Sequence, residues 1–149
     1  MTEPKQHKLS EHVRQRTQEW FRKAEHDLAY LTVAPLDMDD PPTDTTCRIA
    51  HMSVEYVLKA YLMLNKSRIP KSHDLVKILD ECAVIHNDTD FETLRADCQT
   101  LSTYRIDLVY PGPLPIDVSV DEAKIAINMA QQIYNFVLSK AIELGYHQI

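Results

Sequence analysis

From Ser10 onward apolar residues return at steps of three, four and seven, namely Val13, Trp20, Phe21, Ala24, Leu28 and Leu31. That spacing predicts a first helix with one buried stripe, ending near Pro35. The next segment, APLDMDDPPTDTT, holds three prolines and four aspartates and reads as an acidic surface loop. Thr45 or Thr46 is placed to cap a second helix over about 47–65, CRIAHMSVEYVLKAYLMLN, which is apolar over much more than one face. Such a helix is expected at the centre of a domain. After KSRIPKS, Ser72 is placed to cap a short third helix, HDLVKILDECAVI, with Leu75, Val76, Leu79 and Cys82 inward. Asp88 or Thr89 opens a fourth, carrying Phe91, Leu94, Cys98, Leu101, Tyr104 and Leu108, and the prolines of YPGPLPID stop it. Ser119 with Glu122 forms a capping box for a last helix reaching about Leu144. No segment alternates with period two, and no internal repeat is present. The expectation is an all-α, up-down antiparallel five-helix bundle with one domain over 10–149, preceded by a disordered tail over 1–9.

Composition narrows the chemistry. The chain has 149 residues, enough for one domain with a sizeable core, but only two glycines, Gly112 and Gly145. Neither a G-x-G-x-x-G turn nor a Walker loop can be drawn, so any phosphate site has to be built from side chains. The net charge of −6 disfavours indiscriminate binding to a phosphate backbone, although local basic patches remain compatible with it. Cys47, Cys82 and Cys98 are widely spaced within apolar helical patterns and read as reduced core residues. No apolar stretch is long enough for a membrane span and the first residues lack a signal-peptide core, so a cytoplasmic location is expected.

The polar candidates start on the second helix, where His51, Glu55 and Lys59 stand at successive steps of four. One reading is a Glu55→Lys59 ion pair on the wet edge of the helix. The other is a polar seam facing a cleft, in which Lys59 meets a phosphate. His73 and Asp74 open the third helix; the aspartate suits the helix dipole, and His73 as a neutral imidazole serves either as a hydrogen-bonding lock or as a base. Asp27 reads as a solvated or capping-type partner of Lys23 or Lys59. Arg105, at the end of the fourth helix, is a candidate anion contact or a response to the dipole, and Tyr104 and Tyr110 are rim residues suited to stacking on a base or to closing the bundle end. No histidine pattern gives a metal site, no cofactor is expected, and no nucleophile elbow is present.

Taken in order, W-x6-D-L from Trp20, H-M-S-V-E-Y-V-L-K-A-Y-L from His51, I-P-K-S-H-D-L from Ile69 and Y-R-x4-Y-P from Tyr104 resemble the HEPN family, named for higher eukaryotes and prokaryotes nucleotide-binding. The resemblance implies a four-helix core plus a short extra helix, a homodimer, a nucleotide or RNA as ligand, and a minimal nucleotidyltransferase as partner in a toxin–antitoxin or defence module. With it, the candidate binding surface is expected at Lys59, His73, Arg105 and Tyr110, with Asp27, His51 and Glu55 in support. Many members are metal-independent ribonucleases in which an arginine is followed four to six residues later by a histidine. Here Arg105 occupies the arginine position, the residue after a gap of four is Tyr110, and no histidine follows until His147. A tyrosine, with pKa near 10, is a poor base at neutral pH. The expectation is therefore a non-catalytic nucleotide-binding subunit or nucleotidyltransferase partner, with a ribonuclease using Arg105 and Tyr110, or a purely structural interaction protein, as the alternatives.

Overall fold

In the computed structural model the described residues are 9–109 and 117–148, the side chains of 106–109 excepted. They form α1 (Glu11–Thr32), α2 (Thr43–Leu64), α3 (Leu75–Ile85), α4 (Arg95–Val109) and α5 (Val120–Glu143), with a 3-10 helix at Thr89–Leu94. No strand occurs among the described residues, as the periodicity predicts. Most of the predicted tail, residues 1–8, and most of the proline-rich segment after α4, residues 110–116, lie outside the described residues.

Two helix starts differ from the expectation, and both differences have a local cause. Helix α2 begins at Thr43, with Pro42 at the N-cap and no side-chain cap bond. The Thr43 hydroxyl instead donates to the Val118 carbonyl at 2.7 Å, tying the first turn to the segment before α5. Thr46 is already inside the helix and returns its hydroxyl to the Pro42 carbonyl at 3.0 Å, the backward bond that threonine makes within a turn. Helix α3 is capped by Asp74, whose Oδ1 accepts from the Val76 and Lys77 amides at 3.0 and 3.4 Å, while Ser72 Oγ accepts from the Asp74 amide. His73 is thereby left outside the helix with its carbonyl free for another partner. The predicted fourth helix divides into the 3-10 turn, which Asp88 caps, and α4. Ser119 caps α5 as predicted, accepting from the Glu122 amide at 3.0 Å.

Helix α2 packs against all four other helices, which accounts for its apolar residues on every side. Phe21, Val54, Leu58, Tyr61, Leu75, Ile78, Phe91 and Ile133 are among the fully buried side chains at the centre. Tyr61 and Phe91 approach at 5.0 Å between centroids, and Phe136 meets Phe91 edge-on at 5.3 Å. At the end of α5, Gly145 adopts φ +96°, and the amides of Gly145 and Tyr146 return to the carbonyls of Ile142 and Ala141. This helix-ending motif needs the left-handed residue that glycine supplies without strain. Its effect is to fold Tyr146 back under the bundle, where the ring stacks on Phe21 at 4.9 Å.

The three cysteines are free and buried. Burial pushes the Cys47 and Cys98 thiols up to about 12 and the Cys82 thiol well above its ordinary value, so at neutral pH all three are protonated apolar groups.

Candidate functional site

The i, i+4 step on α2 brings Glu55 and Lys59 together as predicted, with Nζ donating to Oε2 at 3.0 Å. The expected wet edge is corrected: the Lys59 side chain is 7% exposed and that of Glu55 3%. The pair is buried because α2 is enclosed by its neighbours, so the helix has no wet edge at this level. A buried ammonium requires a partner, and Lys59 spends its charge on Glu55.

The second carboxylate oxygen of Glu55 reaches a different element. His73 Nδ1 lies 2.9 Å from Oε1, and the His73 carbonyl lies 3.0 Å from His51 Nε2. A carbonyl only accepts, so His51 donates from Nε2, and its Nδ1 is buried with no hydrogen-bond partner among the described residues. Burial lowers the pKa of His51, against the opposing pull of Glu55, and the Arg105 guanidinium lowers it further. The ring is therefore neutral at physiological pH. Glu55 in turn fixes the hydrogen on His73: an ionised carboxylate has no proton to give, so Nδ1 carries the hydrogen, and in the tautomer with that single hydrogen Nε2 is a lone-pair acceptor. No described residue bonds to that Nε2. The His73 side chain is 48% exposed, with one edge bonded to the interior and the other turned out.

His73, Asp74 and Val76 from the start of α3, with Gln99, Ser102 and Arg105 from α4, line an open cleft of about 350 Å³. Ser102 Oγ accepts from the Leu75 amide at 3.1 Å and pins the two walls together. Arg105 lines this cleft with a guanidinium of five donors and makes no ion pair or hydrogen bond among the described residues.

With that geometry in view, the sequence can be placed among known families. A family model described as the HEPN domain matches residues 17–141. The chain belongs to the HEPN domain family. No curated protein and no solved structure matches the chain.

The HEPN chain thus brings together His73 and Arg105 at the cleft, with His51 and Glu55 behind them. Lys59 belongs to the buried seam and does not line the cleft. Asp27 stands apart, half-buried on α1. Burial raises its carboxyl pKa while His26 and Lys23 pull it down, and Lys23 itself lies over the Tyr56 ring at 5.4 Å. Of the two expected partners, Lys23 acts on Asp27 through its charge, whereas Lys59 is paired with Glu55 instead. Tyr110 lies outside the described residues. Gln99 and Ser102 are lining residues that the sequence reading does not single out. Their spacing of three on one helix, with Arg105 three further on, is the signal that could have found them. Among the described residues no group of three or more histidines, cysteines or carboxylates is arranged to hold a metal ion, and no helix is long and apolar enough to cross a membrane.

Proposed function

We propose that this HEPN domain is a nucleotide-binding subunit whose cleft between the start of α3 and α4 takes a phosphate on Arg105. The observation that supports the reading is the Arg105 guanidinium lining a cleft, with no ion pair or hydrogen bond to another described residue, in a chain of net charge −6. A guanidinium matches phosphate geometry with two parallel hydrogen bonds, and no glycine-rich loop is required. The homodimer and the minimal nucleotidyltransferase partner, with its toxin–antitoxin or defence setting, complete the reading on the strength of the family. Titration calorimetry with ATP, GTP and the nucleoside monophosphates tests it. Binding should weaken by about 10- to 100-fold in Arg105→Ala, the range of a charge-assisted hydrogen bond. A folded protein that gives no heat with any nucleotide refutes the reading.

One observation favours a second reading, the metal-independent ribonuclease. The imidazole that is missing downstream of Arg105 in the chain is supplied from another element by His73, in the same cleft and held by a carboxylate. That reading requires RNA cleavage by the purified protein that is lost in both Arg105→Ala and His73→Ala. Intact RNA after prolonged incubation eliminates it.

A further inference from the structure

The cleft has two chemically opposite walls. The α4 wall presents Arg105, which has donors only. The α3 wall presents Asp74 and the Nε2 edge of His73, a lone pair in the tautomer whose single hydrogen sits on Nδ1 against Glu55. A phosphate is therefore favoured near Arg105 and repelled by Asp74, whose Oδ1 is already bonded to the first amides of α3. At the His73 wall the cleft calls for a ligand group with a hydrogen to give. A ribonucleotide has this same polarity, with an acceptor-only phosphate at one end of the ribose and hydroxyl donors on the sugar. The volume of about 350 Å³ lies at the small end of ligand sites, the scale of a single nucleotide.

We propose that His73 is the sugar-reading residue of this cleft: its Nε2 accepts a hydrogen bond from a ribose hydroxyl, so the cleft selects ribonucleotides over nucleotides lacking those hydroxyls. Glu55 and Lys59 are positioning residues for it. Lys59 keeps Glu55 an acceptor, and Glu55 keeps the proton on Nδ1. The buried pair acts on the ligand through the tautomer of a ring it holds by one edge. The inference rests on the anion-binding role of Arg105 and adds a sugar contact to it.

The test compares each of the four nucleoside 5′-monophosphates with its 2′,3′-dideoxy counterpart by calorimetry on the full chain, beside a nitrogen-15 spectrum of the histidine rings. The expected result is about a 5- to 10-fold preference for the ribonucleotide, the scale of one neutral hydrogen bond. The preference should disappear in His73→Ala while Arg105-dependent binding persists, and the spectrum should show an unprotonated His73 Nε2. Equal affinity for the two members of each pair, with binding still dependent on Arg105, overturns the sugar contact and leaves the phosphate site standing. Absence of binding to every nucleotide by the folded chain overturns both. A ribose preference that survives His73→Ala, or a neutral His73 protonated at Nε2, overturns the role of His73 without any variant of the buried pair having to fold.

Discussion

Glu55 with Lys59 inside the bundle, and Arg95 with Asp80 and Glu92 on its surface, are built from the same chemistry under opposite conditions. The first pair is 3% and 7% exposed, whereas Arg95, Asp80 and Glu92 are 30%, 55% and 57% exposed. Water competes for every oxygen of the surface set, and salt screens it. At the buried pair no water competes, so each charge depends on the other, and the position of His73 depends on both. A dense cluster of charges is therefore a weak mark of a site in this chain. The stronger mark is a buried charge whose remaining valence is spent on orienting a group that faces solvent.

The largest effect that separates the two regions is expected from Glu55→Ala, which leaves the Lys59 ammonium buried and unpaired. Urea denaturation should show a loss of about 3–5 kcal/mol, the usual consequence of breaking a buried pair from one side. Replacing both residues together, Glu55→Met with Lys59→Met, should cost less than the single change, because neither charge is then stranded. A double variant as unstable as Glu55→Ala breaks the contrast, since packing rather than charge would then be what the pair contributes.

The next effect is on pH dependence. The pKa of His51 in the folded chain lies below its unfolded value of about 6.5, because burial disfavours the imidazolium. On acidification through about 6.5 the unfolded chain takes up a proton that the folded chain refuses, so stability falls until the folded ring titrates as well. Above the unfolded pKa the neutral ring adds no pH dependence. His51→Gln keeps a side-chain donor for the His73 carbonyl and removes the titration. The wild-type slope between pH 7 and 5 should exceed that of the variant by up to one proton, about 1.4 kcal/mol per pH unit. Equal slopes from parallel denaturation series break the claim that burial keeps the His51 ring uncharged.

How much of this is legible in the sequence follows the same division. The helical periods, the Ser119 cap and the Glu55–Lys59 step are local, and each is made by residues within one or two turns. The bond from His73 to Glu55 spans 18 positions, and it exists because Asp74 rather than Ser72 caps α3 and leaves His73 outside the helix. Competition between neighbouring cap residues is decided by docking, which no window of sequence contains. The burial of Lys59 is hidden for a related reason: a helix that looks amphipathic at one step of four loses its wet edge once four neighbours surround it. Among the residues of the polar pattern, Arg105 is legible as a candidate anion contact, but its place beside His73 in one cleft emerges only from the packing of α3 against α4.

A smaller effect lies at Asp88, whose half-buried pair with Lys140 stands between the two regions. Its carboxylate caps the 3-10 helix through the Asp90 amide at 3.0 Å and meets Lys140 at 2.9 Å, and the lysine ammonium holds its pKa below the ordinary value. Asp88→Ala should cost about 1 kcal/mol in thermal or chemical denaturation through loss of the cap. Asp88→Asn, which retains a capping oxygen and drops the charge, should recover most of that loss. If the asparagine is as damaging as the alanine, the half-buried ion pair with Lys140 rather than the cap is what counts, and this pair resembles the buried one more closely than the Arg95 set does.

The smallest effect is expected at Asp80. Its carboxylate is bonded to the Arg95 guanidinium, but the same guanidinium holds Glu92 at 2.6 and 2.8 Å one turn away, so Asp80→Ala leaves Arg95 paired. Water replaces the lost contact, because Asp80 is more than half exposed. The denaturation midpoint should fall slightly at low ionic strength and match wild type at 1 M salt, where the screening length is about 3 Å. A shift that persists at 1 M salt and equals that of Asp88→Ala would show that exposure does not separate the two regions. The inference from buried pairing to a functional role for His73 would then lose its physical ground.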